Sequence, residues 1–158
     1  MPIVVTPIPI TSMAHTELTD VLAAQHQPAA TSGQVLRTAG NLSTTSTTLV
    51  DVLGATVTIT TGVFPVAYGA FQSLFSSATN NNIALNVDID GGLELGATGT
   101  EWLLTTANFG FNGSFSGQSA ELTAAEHTIK MQWKGQGATV TLYANSDVAQ
   151  LFWAYEIR

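Results

Sequence analysis

From His127 to Ile157 the chain reads HTIKMQWKGQGATVTLYANSDVAQLFWAYEI, and apolar residues recur there at every second position. That period places alternate side chains on opposite faces of an extended strand. In His127–Lys134, Ile129, Met131 and Trp133 alternate with Thr128, Lys130, Gln132 and Lys134. Gly135-Gln136-Gly137 supplies a turn, and Ala138–Ala144 resumes the alternation with Val140 and Leu142 set against Thr139, Thr141 and Tyr143. In the last run, Ala149–Ile157, the stripe Leu151, Trp153, Tyr155 and Ile157 is expected to face the core, while Phe152 and Ala154 stand on the other side. A strand apolar on both faces needs two burial partners. Ile129, Met131, Trp133, Leu151 and Trp153 are therefore the expected core, and Phe152 and Ala154 the expected contact with another copy of the chain.

The segments before His127 carry the same period. Thr47–Leu53 and Ala55–Thr61 read as a strand pair turning at Gly54, with Val57 and Ile59 opposite Thr56, Thr58 and Thr60. Pro65–Ser77 reads as one long strand whose apolar residues change phase near Gly69-Ala70, which predicts a bulge there. Ile83–Asp90 alternates cleanly, with Ile83, Leu85, Val87 and Ile89 inward, and Asp90-Gly91-Gly92 is a hairpin turn leading into Leu93–Leu95. Trp102–Leu104, Asn108–Ser116 and Ala120–Leu122 complete a set of roughly eight to ten short strands at even spacing, which predicts an all-β antiparallel sandwich, most simply a jelly roll.

Met1–Gln34 has a different character and is expected to be an N-terminal arm preceding a domain over 35–158. MPIVVTPIPI sets Pro2, Pro7 and Pro9 among β-branched residues. Proline removes a ladder donor, so an extended or edge arm is predicted, and it leaves Ile3, Val4, Val5, Ile8 and Ile10 in need of a receiving surface. Thr16–His26 has Leu18, Val21 and Leu22 at helical spacing behind a Thr cap and predicts a short helix, with Pro28–Gly33 as linker.

Charge narrows the function. Only 9% of the 158 residues are charged, 45% are hydrophobic, and the net charge is −7 with four Lys+Arg. So few cations cannot neutralise a phosphate backbone or hold an anionic membrane surface, which argues against nucleic acid and membrane as partners. With no cysteine there is no disulfide and no thiolate metal site. No apolar run approaches the roughly 20 residues of a membrane span, and the N-terminus has no secretory pattern. A Thr-, Ser- and Gly-rich chain this poor in charge suits a protein whose surface is covered by neighbours.

Candidate chemistry is sparse. Asp88, Asp90 and Glu94 cluster near one turn and offer the oxygens a hard cation wants, but Asp90-Gly91 reads first as the turn itself. His15, His26 and His127 are spread over distant segments. No G-x-S-x-G, H-E-x-x-H or phosphate-binding glycine loop occurs, so neither an enzyme nor a bound cofactor is expected. Of the aromatic residues Trp102, Phe109, Phe111, Phe115, Trp133, Trp153 and Tyr155, all but Trp102 are expected in the core.

Thr44–Val52 (TTSTTLVDV), Val57–Thr61 (VTITT), the V-x-I-D-G turn at Val87–Gly91 and LTAAEHTIKMQWK at Leu122–Lys134 together resemble a jelly-roll module of tailed-phage virion proteins. The resemblance runs from about Leu42 to the end and is carried best by His127–Trp133; Ala125-Glu126 stands where the module has a glycine-containing turn. Glu17–Pro28 (ELTDVLAAQHQP) is similar to segments of phage fibre proteins. The resemblance implies a virion component. The expected function is a homotrimeric capsid decoration (cement) protein on the capsid surface, which grips the major capsid protein through Ile3, Val4, Val5, Ile8 and Ile10. The alternative is a head- or tail-fibre tip that binds a host-surface receptor or glycan through Trp102 and the loops at Asn80–Asn82 and Asn145–Asp147.

Overall fold

The computed structural model describes residues 30–158 apart from Ser146, and the backbone alone of Phe109. The arm residues Ile3, Val4, Val5, Ile8 and Ile10, and the helix expected over Thr16–His26, lie outside the described residues. Among the described residues every regular element is a strand. These are β1 (Ser32–Arg37), β2 (Leu42–Thr44), β3 (Val50–Thr60), β4 (Val66–Ser76), β5 (Asn81–Ile89), β6 (Gly92–Leu93), β7 (Thr100–Leu104), β8 (Phe109–Gln118), β9 (Glu126–Lys134), β10 (Val140–Tyr143) and β11 (Gln150–Glu156).

Two antiparallel sheets pack face to face. In the first, β4 is central: β8 lies along one edge, and β11 and then β10 share the other, flanked in turn by β1 and β2. In the second, the order is β3, β9, β5, with β7 and β6 dividing the far edge of β5 between them. The core lies between the sheets. Ile83, Leu85, Val87, Ile129, Met131 and Trp133 enter it from the second sheet, and Val66, Tyr68, Leu74, Val140 and Leu142 from the first. Placement of Ile129, Met131 and Trp133 follows the alternation directly, because their neighbours Lys130 and Gln132 are polar and take the outer face.

The closing strand has the opposite phase to the one expected. Phe152 and Ala154, assigned from sequence to a contact between copies, are core residues at 1% exposure each. Leu151 and Trp153, assigned to the core, stand half-buried on the outer face with Tyr155. Period two divides a strand into two faces without saying which is inward, and here both faces are apolar. Cross-strand partners decide it: Phe152 sits between Val35 and the small Ala70, and Trp153 opposite Gly69, where the outer face has room for an indole.

Three further expectations change. Gly54 does not turn the chain; β3 is one strand with Gly54 at φ +75° inside a bulge where the register against β9 slips between Asp51 and Thr56. β4 carries no bulge: its pairing with β8 is unbroken from Ala67 to Ser76, and the apparent change of phase arises because Phe71 and Phe75 belong to the outer face. β1 begins at Ser32, inside the span 1–34 read as arm, because Ser32, Gly33 and Gln34 pair with Tyr155, Ala154 and Trp153. The Asp90-Gly91 hairpin does form, with both residues at positive φ (52° and 92°) as a two-residue turn of this twist requires.

Candidate interaction face

Residues directly opposite in antiparallel strands share a face, so the register fixes what the outside of the first sheet presents. Leu36, Leu151, Phe71 and Ser114 form one row across β1, β11, β4 and β8. Gln34, Trp153, Gly69 and Ser116 form the next, and Ser32, Tyr155, Ala67 and Gln118 the third. Further along, Phe75 and Tyr143 meet edge to face at 5.6 Å.

Small residues on β4 shape this surface. The Trp153 indole lies over Gly69, and Ala67, which pairs with Tyr155, is buried although it faces outward. The Trp153 and Tyr155 rings are nearly parallel, 19° apart with centroids at 5.4 Å, and with Ser32 and Gln34 they border a shallow depression at the β1 rim. Beside them Leu36 is 58%, Phe71 43% and Tyr155 46% exposed. None of these rows contains Asp, Glu, Lys, Arg or His. The rim strand β8 pairs only with β4 among the described residues, over ten consecutive residue pairs without a bulge, and its sequence FGFNGSFSGQ holds neither Lys nor Pro.

Charge is concentrated elsewhere. On the outside of the second sheet Asp51 accepts from Gln132 Nε2 at 2.8 Å and from Lys130 Nζ at 3.0 Å, and these two bonds, the Gln132 bond first, hold its carboxyl below the usual range. At one end of the sandwich the buried His127 contacts the Thr123 carbonyl through Nε2 (2.9 Å) and Asp90 through Nδ1 (2.6 Å), while Asp90 also accepts the Thr128 N–H. The Thr123 carbonyl, against burial and with help from Asp90, raises the imidazole pKa; His127 and then the Thr128 N–H lower that of Asp90. Burial opposes ionisation of Glu156, but the Gly62 N–H at 2.6 Å and the Arg158 guanidinium outweigh it and hold the carboxyl below its ordinary range.

Several of the other residues singled out from sequence are engaged structurally. Asp88 accepts from Gly91 N and Asp90 is bound by His127 and Thr128, and among the described residues no three His, Asp or Glu side chains are disposed around a common point for a metal. His15 and His26 lie outside the described residues. Asn81 is buried and bridges Ser76 and Gln136, and Asn145 ties its own turn through Asp147 N and Val148 N. Trp102 is half-buried against Phe111 at 6.2 Å and, with the exposed Leu103, lines a shallow groove. The sequence reading missed Leu36 and Phe71 and placed Trp153 inward; a glycine in the middle of a long apolar strand, Gly69, was the signal that a large ring crosses there.

No protein-family model matches the chain, and no curated protein matches it.

Proposed function

We propose that this chain is a structural protein of a tailed-phage virion, a trimeric capsid decoration protein with a jelly-roll head that binds the major capsid protein through its N-terminal arm. The observation that carries this reading is the order of the strands. Leaving aside the short β2, β6 and β10, the sheets run β1-β11-β4-β8 and β3-β9-β5-β7. Counted along the chain, these are first-eighth-third-sixth and second-seventh-fourth-fifth, the order obtained when a long hairpin of eight strands is rolled up into two sheets. That order supports the jelly-roll reading, and with it the resemblance carried by His127–Trp133.

The mechanism is binding without chemistry. Each fully buried side chain among Ile3, Val4, Val5, Ile8 and Ile10 contributes roughly 1.5–3 kcal/mol before the cost of ordering the arm. Three arms on one trimer act together through effective concentration, so a weak single contact becomes a stable one. The arm's first fourteen residues carry no charged side chain at neutral pH, so the attachment is weakly sensitive to salt.

The test mixes purified protein with capsids lacking it and measures co-sedimentation. Full-length protein is expected to pellet in hundreds of copies per particle, and protein lacking Met1–Thr11 to stay in solution while still folded. Decoration by the truncated protein as well as by the full chain overturns the arm's role. The groove beside Trp102 and Leu103 favours a second reading, a fibre tip that binds a host-surface glycan; host-cell binding by the truncated protein, lost on Trp102→Ala, would establish it instead.

A further inference from the structure

We infer that the outer face of the first sheet, from Leu36 through Leu151 to Phe71 and over Trp153 and Tyr155, is where copies of this chain pack against one another. The inference rests on the proposal that the protein associates with itself, and it names the surface.

Four features lead there. The first is continuity: Leu36, Leu151 and Phe71 are direct cross-strand neighbours on three adjacent strands, so their side chains form one apolar band beside the Trp153–Tyr155 pair. Bands of this kind mark interaction surfaces, in contrast to single exposed apolar residues, which are ordinary.

The second is charge. Each copy carries a net charge of −7, and like-charged copies repel wherever their ionised groups come within about a Debye length, roughly 8 Å at physiological salt. Pairing through the second sheet would bring Asp51 and Lys130 under a neighbour and strip them of water. Pairing through the first sheet buries no ionised side chain, because its rows hold none.

The third is the rim. β8 has a free backbone edge among the described residues, with none of the lysines, prolines or bulges that keep an edge from recruiting another strand. A neighbouring copy seated on the face and reaching over β8 would cover that edge.

The fourth is size. Four strands about 4.8 Å apart and up to eleven residues long present a surface of roughly 20 Å by 30 Å, on the order of 600 Å². Specific complexes bury from about 1,200 Å² in total, roughly 600 Å² on each partner, so the face reaches the lower end of the range for a stable contact.

The experiment is sedimentation equilibrium on the full chain at micromolar concentration. It compares the unchanged protein with Phe71→Lys, Leu36→Lys and, as a control on the other sheet, Thr58→Lys, with circular dichroism as the check on folding. The unchanged protein and Thr58→Lys are expected to be trimers. Phe71→Lys and Leu36→Lys are expected to raise the dissociation constant by about tenfold or more, because each places an ammonium group in the apolar contact. Leu36 lies on the rim strand β1 at 58% exposure, so its variant decides the matter should Phe71→Lys fail to fold. Trimers with unchanged affinity in both variants overturn the face and leave self-association standing. A monomeric unchanged protein overturns both.

Discussion

Gly69 and Trp153 are direct partners in the antiparallel pairing of β4 and β11, and a methyl group added at Gly69 would collide with the indole. The glycine is in a buried central strand, where it costs β propensity, and it is there because the ring crosses it. Gly69→Ala is expected to lift Trp153 off the sheet and to destabilise the fold by about 1–3 kcal/mol through overpacking. Urea melts followed by tryptophan emission would detect both effects; a melt unchanged within error would show that the ring can step aside without cost.

Inward-facing and outward-facing residues of β3, β9 and β11 predict opposite sensitivities. Phe152→Ala and Trp133→Ala each remove a large core side chain and should cost about 3–5 kcal/mol. Leu53→Ala removes an apolar residue that is 73% exposed and should lie within about 0.5 kcal/mol. Comparable losses from Phe152 and Leu53 in denaturant titrations would contradict the phase described for these strands.

The His127–Asp90 pair predicts a pH dependence. The imidazole pKa is raised above its ordinary 6.5, chiefly by the Thr123 carbonyl, so its contribution is fully present below pH 6.5 and fades as pH rises through the higher folded value. Asp90 is lowered from 3.8, chiefly by His127, so its contribution is present above that pH and is lost as pH falls through the lower folded value. The pair therefore stabilises most between about pH 4 and pH 6.5. Thermal melts should show the gap between the unchanged protein and His127→Gln narrowing from pH 6 to pH 9; a constant gap would mean that the histidine acts by shape alone.

Glu156 and Arg158 join the end of β11 to the loop at Gly62, with Arg158 also over the Phe64 ring at 5.6 Å. Glu156→Gln keeps the shape and gives up the charge, so it should lower the melting temperature less than Glu156→Ala, which also leaves the Gly62 N–H without its acceptor. The order of the melting temperatures is the measurement: Glu156→Gln melting with the unchanged protein would assign the site no electrostatic role, and Glu156→Gln melting with Glu156→Ala would assign the whole effect to the charge.

What the sequence made legible follows from contrast between faces. β5 and β9 were readable because Ile83, Leu85, Val87, Ile129, Met131 and Trp133 alternate with small or polar residues, and the Asp90-Gly91 turn because its backbone needs positive φ twice. β11 and β4 were not, because Trp153, Tyr155, Phe71 and Phe75 make an outer face as apolar as the inner one. Gly54 misled because a glycine at positive φ serves a bulge as well as a turn. The apolar outer face itself was out of reach: Leu36, Phe71 and Leu151 come from distant segments, and only cross-strand register aligns them.

The pairing of Ser32 with Tyr155 joins the first described strand to the last. Among the described residues β1 has no other partner in its sheet, so nearly the whole chain must be held as a closed loop before that ladder can form. Contacts of such long sequence separation form slowly, because chain entropy is spent before they repay it. During synthesis β1 emerges well before β11, so it waits unpaired until β11 is made, and its docking comes late among the strands of this sheet. The start of β1 thus acquires a fixed place in the sheet only once β11 is in place, although β1 is translated long before it.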